Sequence, residues 1–268
     1  EGNVVMLFQT GCGMVVTTGY PTTAFNVNYV HNLFQNGAAT LSGILEGYKE
    51  RQRRGEIPEG KITFIMVSGD GGMDIGLGSA LAAAIRNHNM IIFEYDNGGY
   101  MNTGYQYSYT TPLGAKSATS HVGIGESGKP YMPKDTPGLF EATKINYVAT
   151  VAESNPQDFI VKAKKAQYYA DNYGLAYIKA ISACPLNWQD EPRYERVVIH
   201  KAVDSCYFPL YEVERGVRKV TYKPKEKLPV IDFLAAMGRT RHLTNDKYSD
   251  IVKKIQESVD KNWENLNK

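Results

Sequence analysis

Asp70 stands between glycines in Ser68-Gly69-Asp70-Gly71-Gly72, just past the apolar run 62–67, and Asn97 follows a second apolar run, 90–93. A lone acid at the end of a buried strand, answered by a side-chain amide at the end of the next, suits a hard divalent cation. Such an ion takes a carboxylate, an amide oxygen and a backbone carbonyl, and phosphate oxygens complete its shell. The glycines let a phosphate approach the backbone, and a helix after them aims N–H groups at it. Either motif alone is an ordinary turn; it is their pairing on two strand ends that points to a Mg²⁺-diphosphate site.

The elements that would carry these residues follow from the hydrophobic pattern. Near-continuous apolar runs at 61–68 and 89–96, joined by a Gly/Ala-rich helix over 75–87, indicate strands of a parallel sheet covered on both faces. The pattern predicts a helix over 31–54, whose small and apolar residues Leu33, Phe34, Gly37, Ala38, Leu41, Ile44 and Leu45 recur at helical spacing. The stretch 2–16 mixes apolar residues with a tight Gly11-Cys12-Gly13 turn, and 17–28 reads as loop. The stretch 98–135 has no period, and a loop that long in a compact domain is usually functional. Beyond it come a helix at 137–143, a strand at 147–152, a helix at 156–172 with Phe159, Ile160 and Ala163 inward, and a strand at 175–183. A helix at 196–205, a strand pair over 207–223 about Arg215-Gly216, and helices at 228–237 and 245–266 close the chain. In the last, Ile251, Ile255, Val259 and Trp263 form an inward stripe. The expected fold is α/β, a doubly wound, mainly parallel sheet with a C-terminal helical extension. Residues 1–195 form the binding domain and 196–268 pack on it.

The 268 residues carry 30 Lys and Arg against 28 Asp and Glu, a formal charge of +2, so no global field draws the chain to nucleic acid. The apolar runs are far shorter than the roughly 20 residues of a membrane span. Three cysteines, Cys12, Cys184 and Cys206, cannot all pair, which argues for a reducing, cytoplasmic setting. His31 and His121 are read as hydrogen-bonding residues, not acid/base catalysts. Tyr105, Tyr107 and Tyr109 read either as aromatics of an alternating strand or as residues lining a substrate.

Gly69-Asp70-Gly71 followed by Asn97 resembles the thiamine-diphosphate fingerprint. The stretches Asp96-Asn97-Gly98-Gly99-Tyr100-Met101-Asn102-Thr103-Gly104 and Thr111-Pro112-Leu113-Gly114-Ala115 are similar to the version in 2-oxoacid:ferredoxin oxidoreductases. Gly11-Cys12-Gly13, Tyr20-Pro21-Thr22-Thr23-Ala24-Phe25, Phe34-Gln35-Asn36-Gly37-Ala38-Ala39, Tyr147-Val148-Ala149-Thr150, Ala183-Cys184-Pro185 and Tyr207-Phe208-Pro209-Leu210-Tyr211 extend the likeness to the β subunit of the pyruvate-type enzymes, over most of the chain. The resemblance implies that Asp70, Asn97 and the Gly99 carbonyl bind Mg²⁺. It places thiamine diphosphate along Gly69, Gly71, Gly72, Tyr100, Met101, Asn102 and Thr103, with Asn102 facing the substrate carbon.

The same resemblance makes Cys12 and Cys184 ligands of a [4Fe-4S] cluster. The family's early Cys-x-x-Cys pair is absent. Either it lies in residues that precede this numbering, which begins Glu-Gly, or the cluster has been lost. Cys206 matches no ligand position and is read as structural. The implied activity is oxidative decarboxylation of a small 2-oxoacid, with coenzyme A taking the acyl group and ferredoxin the electrons. Partner subunits would supply the pyrimidine-binding domain, with its activating Glu, and the ferredoxin-like clusters. Gly98-Gly99 in place of Glu-Ala, and the lack of an Arg after Gln106, keep oxalate open as substrate. The rivals are a diphosphate-binding subunit without electron transfer, and a thiamine-dependent enzyme half without a cluster.

Overall fold

A computed structural model describes residues 3–19, 22 and 25–268. Eight strands form one sheet: β1 (Asn3–Gln9), β2 (Asn28–Asn32), β3 (Ile62–Gly69), β4 (Ile91–Asp96), β5 (Tyr147–Ala152), β6 (Ala176–Ile181), β7 (Tyr211–Glu214) and β8 (Val217–Val220). Their order is β2-β1-β3-β4-β6-β5-β7-β8. The first six strands pair in parallel, and β7 and β8 extend the β5 edge antiparallel.

The helices are α1 (Cys12–Thr17), α2 (Gly37–Arg53), α3 (Asp70–Ile75), α4 (Leu77–Ile85), α5 (Thr136–Ala142), α6 (Pro156–Asn172), α7 (Pro185–Trp188), α8 (Glu195–Asp204), α9 (Val230–Ala236) and α10 (Ser249–Leu266). Right-handed crossovers assign their faces. The connections β2-α2-β3, β3-α4-β4 and β4-α5-β5 all advance along the sheet in one direction and share a face. There Leu7, Met66, Ile92 and Tyr177 pack against Leu41, Ala83 and Phe140. The β5-α6-β6 connection runs back, so α6 lies on the other face, over Tyr147, Ala149 and Ile178. With both faces covered, the inner strands are apolar almost throughout, as a doubly wound sheet requires. A third cluster, built on Trp188, Ile199, Phe233 and Ile255, joins α7 through α10 to the ends of β5 and β6.

The structure corrects the sequence reading in several places. The helix expected over 31–54 starts at Gly37, and His31 sits in β2 with its Nδ1 3.1 Å from the Phe8 carbonyl. Five half-exposed residues of edge strand, following a Thr-, Gly- and Pro-rich stretch, carry too little pattern to be separated from the helix after them. The glycine turn at 69–72 is instead the start of a helix, since α3 begins at Asp70, and the helix expected over 75–87 divides at Gly76. Ile160, expected inward, is 50% exposed; the inward stripe of α6 is Phe159, Lys162, Ala166 and Tyr169. Lys162 reaches the core because its ammonium donates to the Thr150 carbonyl and to Asp158.

Tyr105, Tyr107 and Tyr109 lie in no strand, although Tyr107 packs edge-on against Tyr131. The strand at 147–152 and the helix at 156–172 match their expected bounds. Ile255 and Val259 of α10 are buried, with Ile251 and Trp263 partly so. In the Tyr20 to Phe25 motif, Tyr20, Pro21, Thr23 and Ala24 lie outside the described residues, as does Gly2. Among the described residues no helix is long and apolar enough to cross a membrane.

Candidate functional site

The chain leaves β1 toward β2 on one side of the sheet and leaves β3 toward β4 on the other. Ligands bind doubly wound sheets in the crevice that such a reversal opens at the carboxyl ends of the strands. A cavity of about 300 Å³ lies there. Thr10, Gly11 and Cys12 line it from the end of β1, Gly69 to Gly72 and Ile75 from the β3–α3 junction, and Gly99 to Thr103 from the start of the long loop, with Tyr95 among them. Of the residues expected to hold metal, cofactor or cluster, all but Asn97 and Cys184 line this cavity. A larger groove, about 800 Å³, runs between the long loop and α10 past Tyr107, His121, Lys129 and Tyr131, and holds none of the expected metal, cofactor or cluster residues.

Asp70 is 3% exposed. Its Oδ2 accepts the Gly99 N–H at 2.8 Å and the Thr110 hydroxyl at 3.4 Å. Burial, then the nearby Asp96 carboxylate, push its acid group up to about 8. Asp96 behaves differently. Burial works to raise it too, but Lys179 at 2.7 Å, the Thr110 hydroxyl at 2.7 Å and the Gly98 N–H at 2.8 Å more than offset that and hold it below the usual carboxylate range. Asn97 is 5% exposed, and its Oδ1 is buried with no hydrogen-bond partner among the described residues. Buried acceptors are nearly always paired, and this orphan sits in the turn whose Gly99 N–H bonds a carboxylate reluctant to ionise, an arrangement that a positively charged ligand would complete. The donor set of one acid, one amide oxygen and backbone carbonyls suits a hard cation. Among the described residues no group of three or more His, Cys, Asp or Glu stands as a metal cluster.

The glycines are demanded by close contacts. A Cβ on Gly72 would lie 2.4 Å from Ser68 Oγ, one on Gly71 would lie 3.0 Å from the Tyr100 ring, and one on Gly99 would lie 2.6 Å from Asn187 Nδ2. Gly98 has φ +66°, a left-handed conformation that glycine adopts without strain. Tyr100 is anchored by donating its hydroxyl to Asp74 at 2.6 Å. Asn102 and Thr103 are exposed at the rim, and Met101 is half-buried.

Cys12 opens α1, and its Sγ lies 3.5 Å from Asn102 Nδ2, which donates to it. Cys184 is the residue before α7. Burial raises its thiol, with the Cys12 sulfur near enough to add to the effect and backbone N–H groups of Asn187 and Leu186 opposing it. A cubane cluster takes four thiolates, and the third cysteine, Cys206, is buried in the α8–α9 core. These residues alone do not fit a [4Fe-4S] cluster: two thiols are half the number it needs.

Several residues of the site escape a reading of the sequence. Asn187, Trp188 and Arg239 donate to the carbonyls of the 97–98 turn, and Thr110 bridges the two aspartates. The Tyr95 hydroxyl accepts the Gly13 N–H at 2.7 Å, joining the β1 loop to β4. One signal was available: Glu94 and Asp96 alternate in an otherwise apolar strand, and Lys179 interrupts the apolar strand beside it.

Residues 10–180 match the thiamine pyrophosphate enzyme, C-terminal TPP binding domain. The pyruvate synthase subunit PorB of Thermotoga maritima is 42% identical over 265 residues, 98% of this chain and 81% of that protein. The subunit of the same name from Methanocaldococcus jannaschii is 39% identical over 95% of this chain and 85% of its own length. The ketoisovalerate oxidoreductase subunit VorB of Pyrococcus horikoshii is 32% identical over 98% and 83%. A solved 2-oxoglutarate:ferredoxin oxidoreductase from Magnetococcus marinus superposes with a TM-score of 0.52 at 23% identity; the match covers 68% of this chain and 55% of that one, and it supports the fold.

Proposed function

The chain belongs to the thiamine-diphosphate-binding subunits of the 2-oxoacid:ferredoxin oxidoreductase family, and we propose that its strand-end cavity holds magnesium and thiamine diphosphate for the oxidative decarboxylation of a small 2-oxoacid. The observation that carries this is the orphaned Asn97 Oδ1 in the turn whose Gly99 N–H bonds the buried Asp70.

Asp70, Asn97 and the Gly99 carbonyl are the cation's protein ligands. Thr110 and the Gly99 amide occupy Asp70 Oδ2, so Oδ1 is the oxygen left to meet the ion. Gly69, Gly71 and Gly72 keep side chains out of the diphosphate's path. Tyr100 and Met101 form the wall against the thiazolium, Thr103 closes the rim, and Asn102 is the residue that positions the substrate carbon. When bound, thiamine diphosphate supplies the nucleophilic carbon and the electron sink that decarboxylation needs.

Cys12 and Cys184 are read as two ligands of a [4Fe-4S] cluster, which needs two further thiolates. Partner subunits with pyrimidine-binding and ferredoxin-like roles complete the enzyme. Ferredoxin accepts the electrons and coenzyme A the acyl group, in the cytoplasm. The C-terminal part, 196–268, acts with 1–195 as one unit, because Arg239 reaches the metal turn. The pyruvate synthase and ketoisovalerate oxidoreductase relatives favour a 2-oxoacid over oxalate.

The test uses the anaerobically purified complex. Pyruvate or another 2-oxoacid should bleach its visible iron–sulfur absorbance and yield an acyl-coenzyme A. Bleaching by oxalate alone would replace the substrate assignment, and a colourless complex with bound thiamine diphosphate would remove the electron-transfer part.

A further inference from the structure

The turn that carries Asn97 is held from behind by residues far from it in sequence. The Asn97 carbonyl accepts Asn187 Nδ2 at 2.7 Å and Trp188 Nε1 at 2.8 Å, with Arg239 Nη1 at 3.5 Å. The Gly98 carbonyl accepts Arg239 Nη1 and the Thr111 hydroxyl, both at 2.7 Å. A carbonyl has two lone pairs, so both are saturated. Neither can turn toward a cation without giving up strong, buried hydrogen bonds. The oxygens left over are the orphaned Asn97 Oδ1 and the Gly99 carbonyl.

Arg239 is 2% exposed, its guanidinium 5.7 Å from the Trp188 ring and its Nε unpartnered among the described residues. A buried guanidinium is costly unless its donors are used. Here Nη1 is spent on the carbonyl groups of this turn. The approach is tight: a Cβ on Gly238 would lie 2.6 Å from the Gln189 carbonyl, and one on Gly98 would lie 3.1 Å from Arg239 Nη2. Arg239 also lies close enough to Asp96 and Asp70 to feel their charge, so it adds positive potential behind a site meant for an anionic diphosphate.

We propose that Arg239, with Asn187 and Trp188, is a positioning clamp that fixes the 97–99 turn so that Asn97 Oδ1 and the Gly99 carbonyl bind the divalent cation. The inference rests on the metal-diphosphate reading of the site. Because Asn187 and Trp188 belong to the helix that begins directly after Cys184, the clamp also ties the metal turn to the segment carrying that cysteine.

Mn²⁺ reports on the site by electron paramagnetic resonance in the assembled complex, stripped of cofactor and titrated with and without thiamine diphosphate. Arg239→Met should weaken Mn²⁺ binding at least about tenfold and alter the bound-ion spectrum, as loss of an outer-shell partner does. Arg239→Lys, which keeps the charge and a donor, should recover most of the affinity. Trp188→Phe keeps the ring and removes one donor, and should weaken binding about threefold, a milder version of the same effect. It decides the matter if Arg239→Met does not assemble. Wild-type Mn²⁺ affinity in Arg239→Met or Trp188→Phe, even with a lowered melting temperature, would overturn the clamp. Wild-type affinity in Asp70→Ala would instead overturn the metal site on which it rests.

Discussion

The backbone N–H of Gly99 donates to Asp70 Oδ2 at 2.8 Å. This bond joins the acid at the end of β3 to the turn at the end of β4, so the two halves of the proposed cation site are one unit. The Gly99 position tests how much depends on that union. A Cβ there would lie 2.6 Å from Asn187 Nδ2, and overpacking of this kind costs about 1–3 kcal/mol. Gly99→Ala should lower stability by that amount in denaturant titration. It should also weaken thiamine diphosphate binding more than the stability change alone explains, since the displaced turn carries Asn97.

Cofactor binding should be pH-dependent with a definite sign. Asp70 is held up to about 8 by burial and by Asp96, and a cation binds the carboxylate and not the acid. Below about pH 8 each unit of pH lost should therefore weaken Mg²⁺-dependent cofactor binding up to tenfold, until other groups titrate. The folded state without cation holds its proton more tightly than the unfolded chain. Its stability should therefore fall as pH rises from the ordinary carboxylate range toward 8, and Mg²⁺ with thiamine diphosphate should reverse that trend. Calorimetric titrations at four or five pH values would read both, and a flat profile would count against Asp70 as the ligand.

Lys179 is the counter-charge of the region. Its ammonium lies 2.7 Å from Asp96 and 3.8 Å from the fully buried Glu94. Removing one partner of a buried charge cluster leaves the others uncompensated, at about 3–5 kcal/mol. Lys179→Met should lose stability on that scale, the largest loss among these variants, and raise the Asp96 acid group toward neutrality. Carboxyl-region infrared difference spectra would detect the extra protonated acid.

Asp74 links α3 to the long loop. It accepts the Tyr100 hydroxyl at 2.6 Å and the Tyr109 N–H at 2.9 Å, and pairs with Lys134. Tyr100→Phe removes one charged hydrogen bond, worth about 1.5–3 kcal/mol, and frees the loop's first turn. Limited proteolysis should then cut within 100–110 sooner than in the native chain, and thiamine diphosphate should slow the cut.

The parts of the site legible in the sequence are those where chemistry and pattern coincide. Asp70 and Asn97 each break an apolar run, and a polar residue at a strand end advertises itself. The glycines around them carry a backbone requirement that only their type can meet. Tyr147 to Ala152 and the helix after it were legible because a buried strand and a long amphipathic helix follow their periods closely. The clamp was not legible. Arg239 meets the Gly98 carbonyl from 141 residues away, and no local pattern encodes which cation will fold back onto which carbonyl. The edge strand β2 was hidden for another reason: five half-exposed residues carry no alternation strong enough to separate them from the apolar residues leading into α2.

The central claim is that Asp70 anchors a magnesium–thiamine diphosphate complex at the strand-end crevice. It is tested most directly by counting thiamine diphosphate and divalent metal per chain in the assembled complex, in the native enzyme and in Asp70→Ala. Equal amounts of the two are expected in the native complex, and neither in the variant, with the complex still assembled. Equal loading of both complexes would contradict it.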